Sequence, residues 1–189
     1  MKVLIVAAHP DDEVLGCGGT ILAHKKAGHD VKTLFLSEGV SSRGSLDECA
    51  NWGDEIVERE EMAAAAARIL GTKIVGFLRM KNLRMRDEPL LDLVKLLIEY
   101  VDDICPDIVY THHPGDLNTD HRVTYEAVYS ACRPQDNFSV MCLRVFEVPS
   151  STDWASNMHL PTFQPDTFVD IKEFLDRKIQ VMAILLIQK

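Results

Sequence analysis

Cysteine, positive charge and long apolar runs are all scarce in this chain, and each shortage removes a class of protein. The five cysteines, Cys17, Cys49, Cys105, Cys132 and Cys142, are odd in number, widely spaced and never arranged as CxxC. That pattern argues against a disulfide framework or a sulfur-ligated metal and fits reduced thiols in the cytoplasm. No apolar stretch reaches the roughly 20 residues of a membrane span. The first such stretch is too short for a secretory signal and runs into acids instead of a cleavage site. With 20 Lys+Arg against 29 Asp+Glu, the net charge of −9 speaks against nucleic acid or an anionic membrane surface as a partner. There is no internal repeat and no G-x-G-x-x-G. Gly16-Cys17-Gly18-Gly19 has other spacing and follows three acids that would repel a pyrophosphate, so helix packing is the expected role of these glycines.

What is present is enough apolar content, 47% of 189 residues, for one domain with a sizeable core over residues 1–189. Apolar runs predict strands over 3–8, 31–36, 73–78, 104–110 and 141–148. Between them, helical spacing and glycine stops predict helices over 16–28, 54–70, 90–101 and 124–132. A strand-like start at 168 leads to a terminal helix ending near 186. Strands separated by helices of this length imply a mainly parallel sheet with right-handed crossovers, a single-domain Rossmann-like three-layer α/β fold. The terminal helix is apolar almost all round, from Val181 to Ile187, and should therefore be buried, against a partner subunit if not within the fold. A homo-oligomer is the expectation.

Two strand ends carry the chemistry. The first strand stops in His9-Pro10-Asp11-Asp12-Glu13, where three consecutive acids repel one another unless a cation or a proton holds them together. A metal bound by His9 and Asp12 answers this, with Asp11 left free to act as a base toward water. Two ligands hold a metal loosely, so a third is expected, and a second cluster, His112-His113-Pro114-Gly115-Asp116-Leu117-Asn118-Thr119-Asp120-His121, follows another strand-like run. In an open α/β sheet both can meet in the crevice beyond the strands' carboxyl ends. His24 and His29 read as surface residues, and the run Glu58 to Glu61 as an exposed helix face. Arg43, in a Ser/Gly-rich loop, is either a solvated charge or a fork of donors for a substrate hydroxyl or phosphate.

The motif at 9–13, the glycines at 16–19, Ser37 to Arg43, the Asn118-Thr119-Asp120-His121 cluster and Phe168 to Ile171 resemble the LmbE/PIG-L family of zinc-dependent N-acetylglucosaminyl de-N-acetylases. The resemblance implies His9, Asp12 and His121 as metal ligands, Zn2+ as the ion with Fe2+ as a second possibility, and Asp11 as the base. It implies hydrolysis of the N-acetyl group of an N-acetylglucosamine-type sugar or conjugate. Asn118 stands where many members have a histidine that stabilises an oxyanion or acts as acid. An asparagine can donate a hydrogen bond but no proton, so His112 or His113, with His113 preferred on sequence proximity, would supply an imidazole. Members of this type usually also continue past the terminal helix. Two other readings stand beside this one: a non-haem Fe(II) enzyme, which has no need of a spare carboxylate, and a metal- or carbohydrate-binding relative with little turnover.

Overall fold

The alternation of apolar runs with glycine- and proline-terminated helices does build a three-layer α/β fold. The computed structural model describes residues 1–42, 52–134, 140–157 and 159–186. Five strands, β1 (Lys2–Ala7), β2 (Asp30–Ser37), β3 (Lys73–Met80), β4 (Ile108–His112) and β5 (Cys142–Phe146), form one sheet in the order β3-β2-β1-β4-β5. Every neighbouring pair is parallel.

Side-chain alternation along β1 decides what covers each face. Val3 and Ile5 pack with Val14 and Ile21 of α1 (Asp12–Lys26), Ala66 and Leu70 of α2 (Gly53–Leu70) and Val181 of α5 (Leu175–Leu186). Leu4 and Val6 pack with Leu93 and Leu97 of α3 (Leu90–Ile104) and Val123 and Val128 of α4 (Thr119–Ala131). All four β1 side chains are at most 1% exposed. Each such burial contributes about 1.5–3 kcal/mol, so β1 is firmly held where it delivers His9. The chain leaves β1 toward β2 and β3, then returns to the other side of β1 as β4. The strand order therefore reverses between β1 and β4, and the crevice at their carboxyl ends is where such sheets bind ligands.

Several boundaries differ from expectation, each for a physical reason. Helix α1 begins at Asp12, inside the acid cluster, because carboxylates suit the unpaired N–H groups of a first turn. Helix α3 runs on to Ile104 and is closed by Cys105 in the left-handed conformation, which delays β4 to Ile108 and makes His112 its last residue. Helix α4 starts at Thr119 because the Oδ1 of Asn118 caps it, accepting from Asp120 N at 2.9 Å. Residues 161–171 form neither helix nor strand, contrary to the expected strand-like start at 168. Gly16 and Gly19 serve packing, as expected: a Cβ on either would collide with Phe146 or Ile171.

Helix α5 lies on α2 and α1; among its described side chains Val181 is fully buried, while Leu175 and Ile179, ahead of the apolar run, are 48% and 54% exposed. Its apolar residues outnumber the positions that α1 and α2 can cover. His24 and His29 are also not simple surface residues: their Nδ1 atoms share a proton at 2.8 Å, and His24 Nε2 meets the Tyr110 hydroxyl at 3.0 Å. Among the described residues, no helix is long and apolar enough to cross a membrane.

Candidate metal centre

The ends of β1 and β4 bring the two clusters together in a buried group. His9 is 6% exposed, Asp12 3% and His121 2%. Asp12 Oδ2 lies 3.2 Å from His9 Nδ1 and 3.3 Å from His121 Nε2, and those two nitrogens are 3.3 Å apart. The outer nitrogen of each imidazole is already committed to a carboxylate. His9 Nε2 donates to Asp120 Oδ2 at 3.1 Å, and His121 Nδ1 to Asp116 Oδ2 at 3.1 Å. Each ring therefore turns its other nitrogen, as a lone pair, toward Asp12.

Two lone pairs and a carboxylate facing one another in a buried space repel unless protons or a metal ion share it. Left to protons alone, the site holds them tightly. Although burial opposes the charge, hydrogen bonds to Asp12 and Asp120 push His9 up to about 9. For His121, burial is again outweighed, by the charge of Asp12 and the bond to Asp116, and the value is about 10. Burial would raise Asp12, yet the charge of His121 holds it well below the usual carboxylate range.

The spacing also suits an ion. Bonds of about 2.0–2.1 Å at tetrahedral angles put ligand atoms about 3.3 Å apart, close to the 3.2–3.3 Å found here. Because both imidazoles hold protons at neutral pH, loading zinc should release about two protons per ion and bind more tightly as pH rises from 6 toward 9. Calorimetry in buffers of different ionisation enthalpy reads that number, and a buffer-independent heat would contradict it.

The carboxylates behind the imidazoles are themselves held. Asp120, fully buried, also accepts from Leu83 N at 2.7 Å, so it fixes the turn after β3 as well as the ring of His9. Asp116, also fully buried, accepts from Ser151 Oγ at 2.9 Å and Thr152 Oγ1 at 2.7 Å. Replacing Asp120 by Asn should weaken zinc binding roughly 10–100-fold, measured by chelator competition, since the ring it orients would lose its fixed tautomer.

The three acids at 11–13 resolve in three ways. Asp12 is held by the histidines. Asp11, at the N-cap position of α1 with no capping bond from its side chain, accepts from Arg59 Nη2 at 2.6 Å. Its pKa is raised, by burial first and then by Asp12, with Arg59 opposing. Burial lifts Glu13 well above its ordinary value, with the charge of Asp11 adding.

His112 and His113 lead separate lives. His112 Nε2 accepts from Ala8 N at 2.9 Å, and its ring stacks on His121 at 3.9 Å between centroids. Burial and then His121 keep it well below its ordinary pKa, so it is a neutral support with no free lone pair for the site. A cluster of His112, Asp116 and His121 also has suitable donors; in it His112 Nε2 accepts from Ala8 N and Asp116 Oδ2 from Ser151 and Thr152, while His112 Nδ1 is buried without a hydrogen-bond partner. His113 Nδ1 accepts from Gly115 N at 3.1 Å, and its ring meets Phe163 edge-on. Among the described residues it makes no hydrogen bond to His9, Asp12 or His121; instead it lines a cavity of about 850 Å³ beside β5, which those three do not line. Arg43 lies outside the described residues.

Arg59 is what the sequence reading missed. The run from Glu58 to Glu61 is not simply exposed: Arg59 turns inward to Asp11, and Glu60 accepts two bonds from Arg79, at 2.6 and 2.8 Å. A lone cation amid acids, one turn before the buried Ala63, was the available signal. Glu38 was passed over as well; its carboxylate accepts from Val40 N, Ser41 N and Asn82 N and from the Ser41 hydroxyl, which shapes the loop at the mouth.

Comparison with known proteins places this geometry. The chain is 28% identical over 176 residues to the uncharacterized deacetylase YaiS of Escherichia coli, covering 90% of this chain and 82% of that one. The solved N,N'-diacetylchitobiose deacetylase from Pyrococcus horikoshii superposes with a TM-score of 0.68 at 25% identity, over 97% of this chain and 69% of the other. GalB, the 4-carboxy-2-hydroxymuconate hydratase from Pseudomonas putida, shares the fold with a TM-score of 0.77 at 24% identity, over 99% and 79%. Fold alone thus leaves the reaction open. The PIG-L family, GlcNAc-PI de-N-acetylase, matches residues 4–132, a stretch that holds every residue of the buried cluster, and the chain belongs to that family.

Proposed function

We propose that the protein hydrolyses the N-acetyl group from the 2-amino group of an N-acetylglucosamine-type sugar or conjugate, at a zinc ion held by His9, Asp12 and His121. The observation that carries this reading is the trio of ligand atoms 3.2–3.3 Å apart, each imidazole backed by its own carboxylate. Zinc bound there supplies Lewis-acid polarisation of the amide carbonyl and acidifies water.

The protein's own groups do the rest. Asp11 takes the proton of the attacking water on Oδ1, since Oδ2 is engaged by Arg59. Asn118 has spent its Oδ1 on the helix cap, so only its amide N–H groups remain to donate to a developing oxyanion. Burial lowers the pKa of His113, which leaves its ring neutral near pH 7 as a hydrogen-bond donor through Nε2. Asp11, carrying the proton it took, then passes it to the departing amine. Arg43 keeps the role of holding a hydroxyl or phosphate of the substrate. A homo-oligomer is supported by Phe168, Leu175 and Ile179, exposed by 82%, 48% and 54%, and a cytoplasmic setting by the free thiols of Cys17, Cys105, Cys132 and Cys142.

The test is acetate release from N-acetylglucosamine, N,N'-diacetylchitobiose and N-acetylglucosaminyl conjugates with polar, anionic and lipid aglycones. Zinc-loaded protein should release acetate from at least one and none after chelation. Tight binding of these sugars by the zinc-loaded protein with no acetate formed would replace the reading with a binding function.

A further inference from the structure

The family match ends at residue 132, yet one support of the metal centre comes from beyond it. Where the chain leaves β5, residues 148–152 fold into a tight turn in which the Val148 carbonyl accepts from Ser151 N at 2.9 Å and Thr152 N at 2.8 Å. Val148 is 1% exposed and clusters with Ile5, Val14 and Phe146, so the turn is seated in the core between β1 and α1. It presents two hydroxyls to Asp116 Oδ2, from Thr152 at 2.7 Å and from Ser151 at 2.9 Å, and the same oxygen takes His121 Nδ1 at 3.1 Å.

The two hydroxyls are not equivalent, because each has a single proton to give. Thr152 Oγ1 accepts from Val148 N at 2.8 Å; a backbone N–H can only donate, so the Thr152 proton is left to point at Asp116. Thr152 is 5% exposed, which keeps water from competing for that bond. Ser151 is partly exposed and can turn its proton to Asp116 or toward the Val148 carbonyl at 3.5 Å. Across the carboxylate, Asp116 Oδ1 accepts from Asn118 N at 2.8 Å. Among the described residues, the Asp116 side chain therefore meets donors only, and the Thr152 hydroxyl is one that cannot reverse.

We propose that Thr152 is a positioning residue for the zinc site: through Asp116, its hydroxyl holds His121 as an Nδ1–H donor with the Nε2 lone pair turned to the metal position. Ser151 adds to the hold without setting its direction. This rests on His121 as a zinc ligand.

The experiment compares wild type, Thr152→Val, Thr152→Ser, Ser151→Ala, Asp116→Ala, the Asp116→Ala/Thr152→Val double variant and His121→Ala. Chelator competition gives zinc affinity, nitrogen NMR of isotope-labelled histidines in zinc-loaded protein follows the His121 Nδ1–H, and circular dichroism checks each fold. Thr152→Val keeps the side chain's shape without the hydroxyl. It should bind zinc roughly 3–10-fold more weakly, short of the 10–100-fold typical of a residue that touches the imidazole, and its His121 Nδ1–H should exchange faster with water. Thr152→Ser should match wild type, Ser151→Ala should lose less than Thr152→Val, and Thr152→Val should cost nothing further in the Asp116→Ala background. Unchanged affinity and exchange in Thr152→Val would overturn the proposal. So would additive losses in the double variant, which mark an effect that bypasses Asp116, or a larger loss in Ser151→Ala. The wild type decides even if Thr152→Val does not fold: its Thr152 hydroxyl proton and His121 Nδ1–H should both exchange slowly, and rapid exchange of either, or a proton on His121 Nε2, would contradict the assignment. Zinc lost in His121→Ala beside an unaffected Thr152→Val overturns the role of Thr152 alone. Full zinc affinity in His121→Ala overturns the ligand itself and this inference with it.

Discussion

Replacing Asp11 by asparagine should lower turnover by roughly 10²–10⁴-fold, the usual contribution of a positioned general base, while the protein keeps its zinc. Asparagine preserves the shape and can still accept from Arg59 Nη2, which now bonds Oδ2 of Asp11 at 2.6 Å. What it cannot do is take a proton. Metal retention follows from the geometry, because the groups that face one another at 3.2–3.3 Å belong to His9, Asp12 and His121. Acetate release and zinc content measured on one preparation decide the matter. If zinc leaves with the carboxylate, Asp11 is a ligand and the roles of Asp11 and Asp12 must be exchanged.

Asp12→Ala should be as damaging for a different reason. It removes the anion between His9 and His121 and the acceptor of the His9 backbone N–H at 2.8 Å. A site with three protein ligands cannot spare one, so zinc affinity should fall by more than about 10²-fold, beyond the loss expected for an outer partner such as Asp120. Turnover should vanish with the metal and return little on adding zinc. Competition with a chromophoric chelator measures the affinity, and full zinc occupancy in Asp12→Ala would sink the assignment.

The order of strands and helices was legible because apolar runs, glycine stops and proline breaks are local signals. The ligand trio was legible for a related reason: His9 and Asp12 stand together at a strand end, and His121 sits in the only other cluster of like composition. What sequence could not show were contacts made by fold. Arg59 reaches Asp11 only because Ala63 packs α2 against β1. The division between His112 and His113 depends on Ala8 N and Gly115 N, which claim one ring nitrogen each. Proximity in sequence carried no information on either. Apolar composition marked the terminal helix for burial but not what covers it: α1 and α2 take Val181, and Ile179 stays 54% exposed.

The central claim, a single ion held by His9, Asp12 and His121, is tested most directly by diffraction at the zinc absorption edge from crystals grown with zinc. The account predicts one anomalous peak, within bonding distance of His9 Nδ1, an Asp12 carboxylate oxygen and His121 Nε2, with His112 still accepting from Ala8 N. A peak held instead by His112 and Asp116, or none among these residues, would contradict it.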